Sequence, residues 1–188
     1  MYEKSKQKTK MEYSVFSFVL GLSIGYFFNR KTNKKYGKTY TYDNMYKFCG
    51  GNPTKFKGII NGKRPAVYIS SESDYSDCIM NNMIYYCGTF HQRVSPANPG
   101  HQSSEYYMNK FIDDTKKPIN IFVKKNTNEY VHIGVGKRVG RSRTKIQDGR
   151  RVMVYPIVFL SGDLEKKLVD FGFEGPHSPG SPCSPSKS

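Results

Sequence analysis

The chain has 188 residues, a formal net charge of +15, 37% hydrophobic and 14% aromatic residues, and no Trp among its 15 Tyr and 12 Phe. That length holds one domain with a real core plus appendages and excludes two ordinary domains, while the apolar and aromatic content excludes a wholly disordered chain. The charge points to a polyanionic partner, nucleic acid or an anionic membrane surface. Residues 1–40 carry nine Lys/Arg and two Glu, hence +7. The other +8 lies in residues 41–188, so the basic character is not confined to a tail.

Residues 1–12 are a Lys-rich, polar leader. Then "YSVFSFVLGLSIGYFF", residues 13–28, runs sixteen residues without a charge, with basic residues on both sides. As a helix it rises about 24 Å against a hydrocarbon core of ~30 Å, a gap that snorkelling lysines and interfacial tyrosines can close. It reads as a membrane anchor. Two rivals stay open: a hydrophobic helix packed on the domain, and a secretory signal with Ser23-x-Gly25 as a poor cleavage site. The basic flanks on both sides set no orientation. The expectation is a membrane-associated chain with its basic domain on the cytosolic, nuclear or DNA-facing side, in a cell or a virion.

Residues 29–46 are polar, basic and dotted with Tyr, and read as a linker into a domain at 47–174. There the pattern becomes short apolar runs separated by turn residues: "AVYIS" (66–70), "MIYYC" (83–87), "INIFV" (119–123), "EYVHIG" (129–134) and "RVMVYPIVFL" (151–160). Their β-branched and aromatic content reads as strands, and Asn61-Gly62 is a hairpin-type turn signal. "SSEYYMNKFIDD" (103–114) predicts a helix, with Tyr107, Met108 and Phe111 at helical spacing. "GDLEKKLVDFG" (162–172) predicts another, with Asp163 at its start, Leu164, Leu168 and Phe171 on one face and Gly172 as a stop. The fold class is α+β, mainly β: a curled sheet or barrel with one or two helices, besides the N-terminal hydrophobic helix. The Pro/Ser/Gly-rich tail 175–188 reads as disordered. Its three Ser-Pro steps offer phosphorylation sites and a contact for other proteins.

Cys49, Cys78, Cys87 and Cys183 form no C-x-x-C pair and no zinc-ligand spacing. They are most simply reduced thiols, which favours a cytosolic or nuclear-side domain, with one disulfide left open. No phosphate loop, nucleophile elbow or His-Glu-x-x-His is present, and His91, His101, His132 and His177 make no metal constellation. "GVGKRVG" (134–140) follows a strand and opens no helix, so it reads as a basic hairpin rather than a nucleotide cradle. The expectation is a non-enzyme without cofactor or metal; a nuclease built on Asp74, Asp77 and a Lys is the open catalytic alternative.

The basic cluster is more informative. Lys137, Arg138, Arg141, Arg143, Lys145, Arg150 and Arg151 stand against the single Asp148 between residues 137 and 151. On a hairpin between two strands they suit a phosphate-tracking finger, which gives affinity and salt dependence but no sequence choice. The rival reading is a solvated basic turn.

A further set of motifs occurs in order. "VYIS" precedes Asp74-Tyr75-Ser76-Asp77, then come Tyr86-Cys87-Gly88, Gly100-His101-Gln102, Asn109-Lys110-Phe111-Ile112 and "INIFVKKNTNEYVHIG". The run from Tyr68 to Gly134 resembles the SRA/YDG domains of the PUA superfamily, chiefly the microbial kind found beside restriction-type nucleases. Ser76 stands where that family has Glu, Cys87 where it has Thr, and His101 where it has Asp. The resemblance implies an SRA-like β-barrel and a pocket for a flipped, methylated cytosine. Tyr75 and Tyr86 would be its stacking pair, Asp77 or Asp74 the edge-reading acid, Cys87 and Gly88 part of its wall, and Gln102 and Asn109 a secondary pocket or scaffold. A base out of the duplex needs aromatic faces and an acceptor for its exocyclic amine, and such stacking is worth about 1–3 kcal/mol per base. The reading is non-catalytic binding of double-stranded DNA, tethered to a membrane through residues 13–28. The runner-up is a membrane-anchored structural protein, such as a minor component of a large DNA-virus particle, using the same fold as scaffold.

Overall fold

The computed structural model describes residues 36–51, 58–70, 77–90 and 100–173. The chain divides into two units, residues 1–36 and 37–188, and every element below belongs to the second. The apolar stretch 13–28 and the tail 175–188 lie outside the described residues. Among the described residues no helix is long and apolar enough to cross a membrane.

Nine strands form one curled, open sheet: β1 (Thr39–Tyr40), β2 (Ile59–Ile60), β3 (Ala66–Ile69), β4 (Cys78–Met80), β5 (Met83–Cys87), β6 (Ile119–Asn126), β7 (Glu129–Arg138), β8 (Arg143–Gln147) and β9 (Arg150–Phe159). The strand order is β2-β3-β6-β7-β9-β5-β4, with β1 added on β7 and β8 on β9. Among the described residues only the β3/β6 pair is parallel; the other pairs are antiparallel. Two register shifts interrupt the β6/β7 ladder, at Ile121/Phe122 and at Lys124/Asn126, and irregularities of this kind bend a strand and deepen the twist that curls a sheet.

Side-chain alternation along the strands builds two cores. Ile59, Val67, Ile121, Val131 and Ile157 belong to the larger cluster, roofed by helices α2 (Tyr107–Asp114) and α3 (Leu164–Asp170) through Met108, Ile112, Leu164 and Leu168. Their neighbours Ile60, Ala66, Phe122 and Tyr130 face the other way, onto Met45, Tyr46 and Cys49 of helix α1 (Tyr42–Cys49).

The domain therefore starts before residue 47, inside the stretch that reads as linker. Thr41 caps α1 by accepting from Asn44 N–H, and left-handed Gly50 ends it. The sheet and helices make a mainly β, α+β fold as expected, with three helices among the described residues. Within α2 the buried residues are Met108, Asn109 and Ile112, whereas Tyr107 is 52% exposed; the face read as apolar is displaced. Asn61-Gly62 opens a five-residue connection between β2 and β3 rather than a two-residue turn. Cys78 is disulfide-bonded, while Cys49 and Cys87 are buried thiols. The one disulfide left open by the sequence thus falls on Cys78, a pairing that sequence spacing alone does not specify.

Candidate nucleic-acid interface

Asp77, Tyr86, Cys87 and Gly88 meet where β4 begins and β5 ends. Asn81 and Asn82 both have positive φ, 53° and 61°, so they form the tight I′-type turn that fits a two-residue hairpin. The resulting register places Cys78 opposite Tyr85 and brings Asp77 alongside the end of β5. Cys87 N–H donates to Asp77 Oδ1 at 2.7 Å. Burial pushes the Asp77 carboxyl up to about 7, against the opposing effects of the Cys87 N–H and the Lys145 charge.

Alternation splits Tyr86 from Cys87. Tyr86 lies in the larger core, only 4% exposed, and its hydroxyl is seated over Gly58, where a β-carbon would collide with it. Burial, then the nearby Asp77, holds that phenol well above its ordinary value. Tyr86 is thus a buried wall with almost no surface, not an open stacking face. Cys87 faces the opposite side, across from Val154 of β9. Burial, with a smaller contribution from Asp77, pushes its thiol up to about 12.

Gln102 and Asn109 are fully buried and hold the turn after β5. Gln102 Nε2 donates to Gly88 O at 2.6 Å, and its Oε1 accepts from Met153 N–H at 2.8 Å. Asn109 Oδ1 accepts from Thr89 N–H at 2.8 Å, while its Nδ2 donates to Thr89 O at 2.9 Å and Ser103 O at 2.8 Å. A β-carbon at Gly88 would lie 2.7 Å from Asn109 Oδ1 and 2.8 Å from Gln102 Oε1. The two amides therefore act on backbone as scaffold, and they require glycine at position 88.

Of the basic cluster, Lys137 and Arg138 end β7, Arg141 lies in the loop after it, and Arg143, Lys145, Arg150 and Arg151 lie on the β8/β9 hairpin, closed by Asp148 and Gly149 with φ of 49° and 73°. Its members separate. Lys137, Arg141, Arg143 and Arg151 are exposed. Arg150 pairs loosely with Asp148 at 3.6 Å. Arg138 is withdrawn from any phosphate role: its side chain is 6% exposed and ion-paired with Asp113 at 2.7 Å. The same guanidinium donates to the carbonyls of Val139, Gly140 and Pro156, and Ser142 Oγ donates to Asp113 Oδ2 at 3.0 Å. Arg138 and Asp113 thus anchor the start of the basic loop to α2.

Lys145 is displaced in the other direction. It sits opposite Val152, on the face that carries Cys87, and its side chain interacts with both Cys87 and Asp77. The structure so joins one member of the basic cluster to two members of the sequence-derived pocket. The topology β5-β9-β8 makes this contact; the spacing of 58 residues between Cys87 and Lys145 gave no sign of it. Asp74 and Tyr75 lie outside the described residues. Among the described residues, no group of three or more His, Cys, Asp or Glu could hold a metal ion.

Chemically, the Asp77–Cys87–Lys145 cluster offers an acid that donates when protonated and accepts when ionised, next to an ammonium that only donates. Such a set can meet a ligand edge bearing both an amine and a carbonyl.

Solved SRA domains share this architecture. The SUVH5 SRA domain in its complex with hemi-methylated CG DNA aligns over 68% of this chain and 89% of that chain, with a TM-score of 0.51 and 18% identity. The same domain with methylated CHH DNA gives 68% and 90%, a TM-score of 0.51 and 17% identity. The sulfur binding domain and SRA domain of ScoMcrA, complexed with phosphorothioated DNA, reaches a TM-score of 0.49 at 16% identity. This chain spans only 39% of that protein's length. No protein-family model and no curated protein matches the chain. The described region is an SRA-like domain. At these identities the likeness defines the fold.

Proposed function

We propose that this SRA-like domain is a non-catalytic reader of double-stranded DNA, holding one base out of the stack beside Asp77. The observation that carries the reading is the convergence of Asp77, Cys87 and Lys145 next to an exposed basic hairpin. Its support is the shared fold with a domain solved on methylated DNA. Arg141, Arg143 and Arg151 grip phosphates and fix the register; such contacts position without choosing sequence. Selectivity comes from the cluster, where Asp77 meets an exocyclic amine and Lys145 a carbonyl oxygen of an extruded base. Tyr75 supplies a stacking face, and Tyr86 supports the site as a buried wall. The charge-free stretch 13–28 between basic flanks tethers the reader to a membrane. Retention in the pellet on alkaline carbonate extraction tests that tether, and release into the supernatant contradicts it.

The DNA-binding reading is tested by affinity for a plain duplex over a salt series. Each phosphate contact adds about 0.9 to the slope of log K against log salt. Replacing Arg141, Arg143 and Arg151 by Gln therefore lowers the slope by about 2–3. A wild-type chain that binds duplex without salt dependence, or not at all, overturns the reading.

A further inference from the structure

Away from the Asp77 cluster, the outer flank of α2 faces the 61–65 connection across a groove of about 570 Å³. Pro65 is buried in its floor, and Phe111 and Tyr107 form an aromatic wall. Among the described residues, Tyr107 is one of the few large apolar side chains with more than half its surface exposed. Its ring packs at 71° to buried Tyr106, centroids 4.9 Å apart, which fixes the plane it presents. Lys110, Lys116 and Lys117 stand on the rim against one carboxylate, Asp114, and all three lysines are exposed.

The volume suits a small ligand rather than a protein surface. The rim is net positive, so the occupant is anionic. The wall is aromatic, so the occupant has an apolar, planar part. An aromatic side chain can stack on a base only when that base is unpaired, because duplex bases already occupy one another's faces. Another exposed flank of the same helix carries Asp113, which anchors the basic loop through Arg138 and Ser142. One helix thus separates two cationic surfaces.

We infer that this groove is a second nucleic-acid site, which takes an unpaired nucleotide of a single-stranded segment with its base on Tyr107 and Phe111 and its phosphates on Lys110, Lys116 and Lys117. It rests on the DNA-binding reading but uses none of the residues assigned to it. Neither Tyr107 nor the lysines belong to either core, so variants keep the fold.

The experiment compares the full chain with Tyr107→Ala and with a Lys110→Gln, Lys116→Gln, Lys117→Gln triple variant. Binding is measured to a fluorescein-labelled oligo-dT strand, to a blunt duplex and to labelled polyglutamate. Tyr107→Ala weakens oligo-dT binding roughly ten-fold. The triple variant weakens it at least as much and lowers its salt slope by about 2, at about 0.7 per contact on single strands. Duplex affinity stays within about two-fold. Wild-type oligo-dT affinity in both variants overturns the inference and leaves duplex binding standing. Equal losses on duplex and oligo-dT overturn it too, because the groove is then part of the duplex surface. Loss confined to polyglutamate assigns the groove to acidic peptides instead. Wild-type binding to neither nucleic acid defeats the DNA-binding reading and the inference together.

Discussion

At the scale of single residues, Asp77 is the decisive one, and its proton makes a prediction. An ordinary Asp titrates near 3.8, whereas Asp77 in the fold is pushed up to about 7. Between those values the folded chain keeps a proton that the unfolded chain has released. Stability therefore falls as pH rises from about 4 to 7 and then levels off. The full shift corresponds to about 4 kcal/mol; partial exposure of Asp77 and solvent screening reduce this to about 1–3 kcal/mol. Asn at 77 retains an acceptor for Cys87 N–H but has no charge to bury. Asp77→Asn should match wild type near pH 4 and exceed it by that amount at pH 8, read as thermal midpoints across the range. Parallel profiles for the two proteins would sink the assignment. Gly88 offers a second residue-level check. A methyl there meets both scaffold amides, so Gly88→Ala should destabilise by about 1–3 kcal/mol in denaturant titrations.

At the scale of elements, the long apolar strands were legible because β-branched and aromatic runs have few alternatives to burial in a sheet. β8 was not, since "RTKIQ" has no apolar alternation and becomes a strand only by pairing with β9. The Asp148-Gly149 turn was the available signal. β1 and α1 were hidden in a Tyr-rich, polar stretch whose buried face, Met45, Tyr46 and Cys49, is narrow; Thr41 and Gly50 marked its ends. Of the candidate site, the pocket motifs and the basic cluster could be read separately. Their junction at Lys145 could not, because it depends on which strands are neighbours. Nor did charge counting tell exposed Arg143 from buried Arg138. That difference is testable. Arg138→Gln leaves the loop carbonyls and the half-exposed Asp113 without their partner, so it should cost about 1–3 kcal/mol in unfolding free energy. Arg143→Gln should change stability by less than about 0.5 kcal/mol while weakening DNA binding. Equal stability losses would refute the division.

At the scale of the whole molecule, the curled sheet serves as a frame with two cores, one on each face. The larger core fixes Tyr86 beneath the site; Gln102 and Asn109 fix the turn beside it. Ile121 is fully buried in that core, and Ile121→Ala should cost about 2–5 kcal/mol. It should lower DNA affinity only through the fraction unfolded, as binding and unfolding curves together would show. The most direct test of the account is the ratio of affinities for two matched duplexes, one with a single 5-methylcytosine and one plain, measured for the full chain and for Asp77→Ala. A base-reading Asp77 predicts a wild-type ratio well above one that collapses toward one in the variant, while plain-duplex affinity and its salt slope persist. Equal losses on both duplexes, or a wild-type ratio of one with this and with a mismatched duplex, would contradict the claim that the Asp77 cluster reads a base.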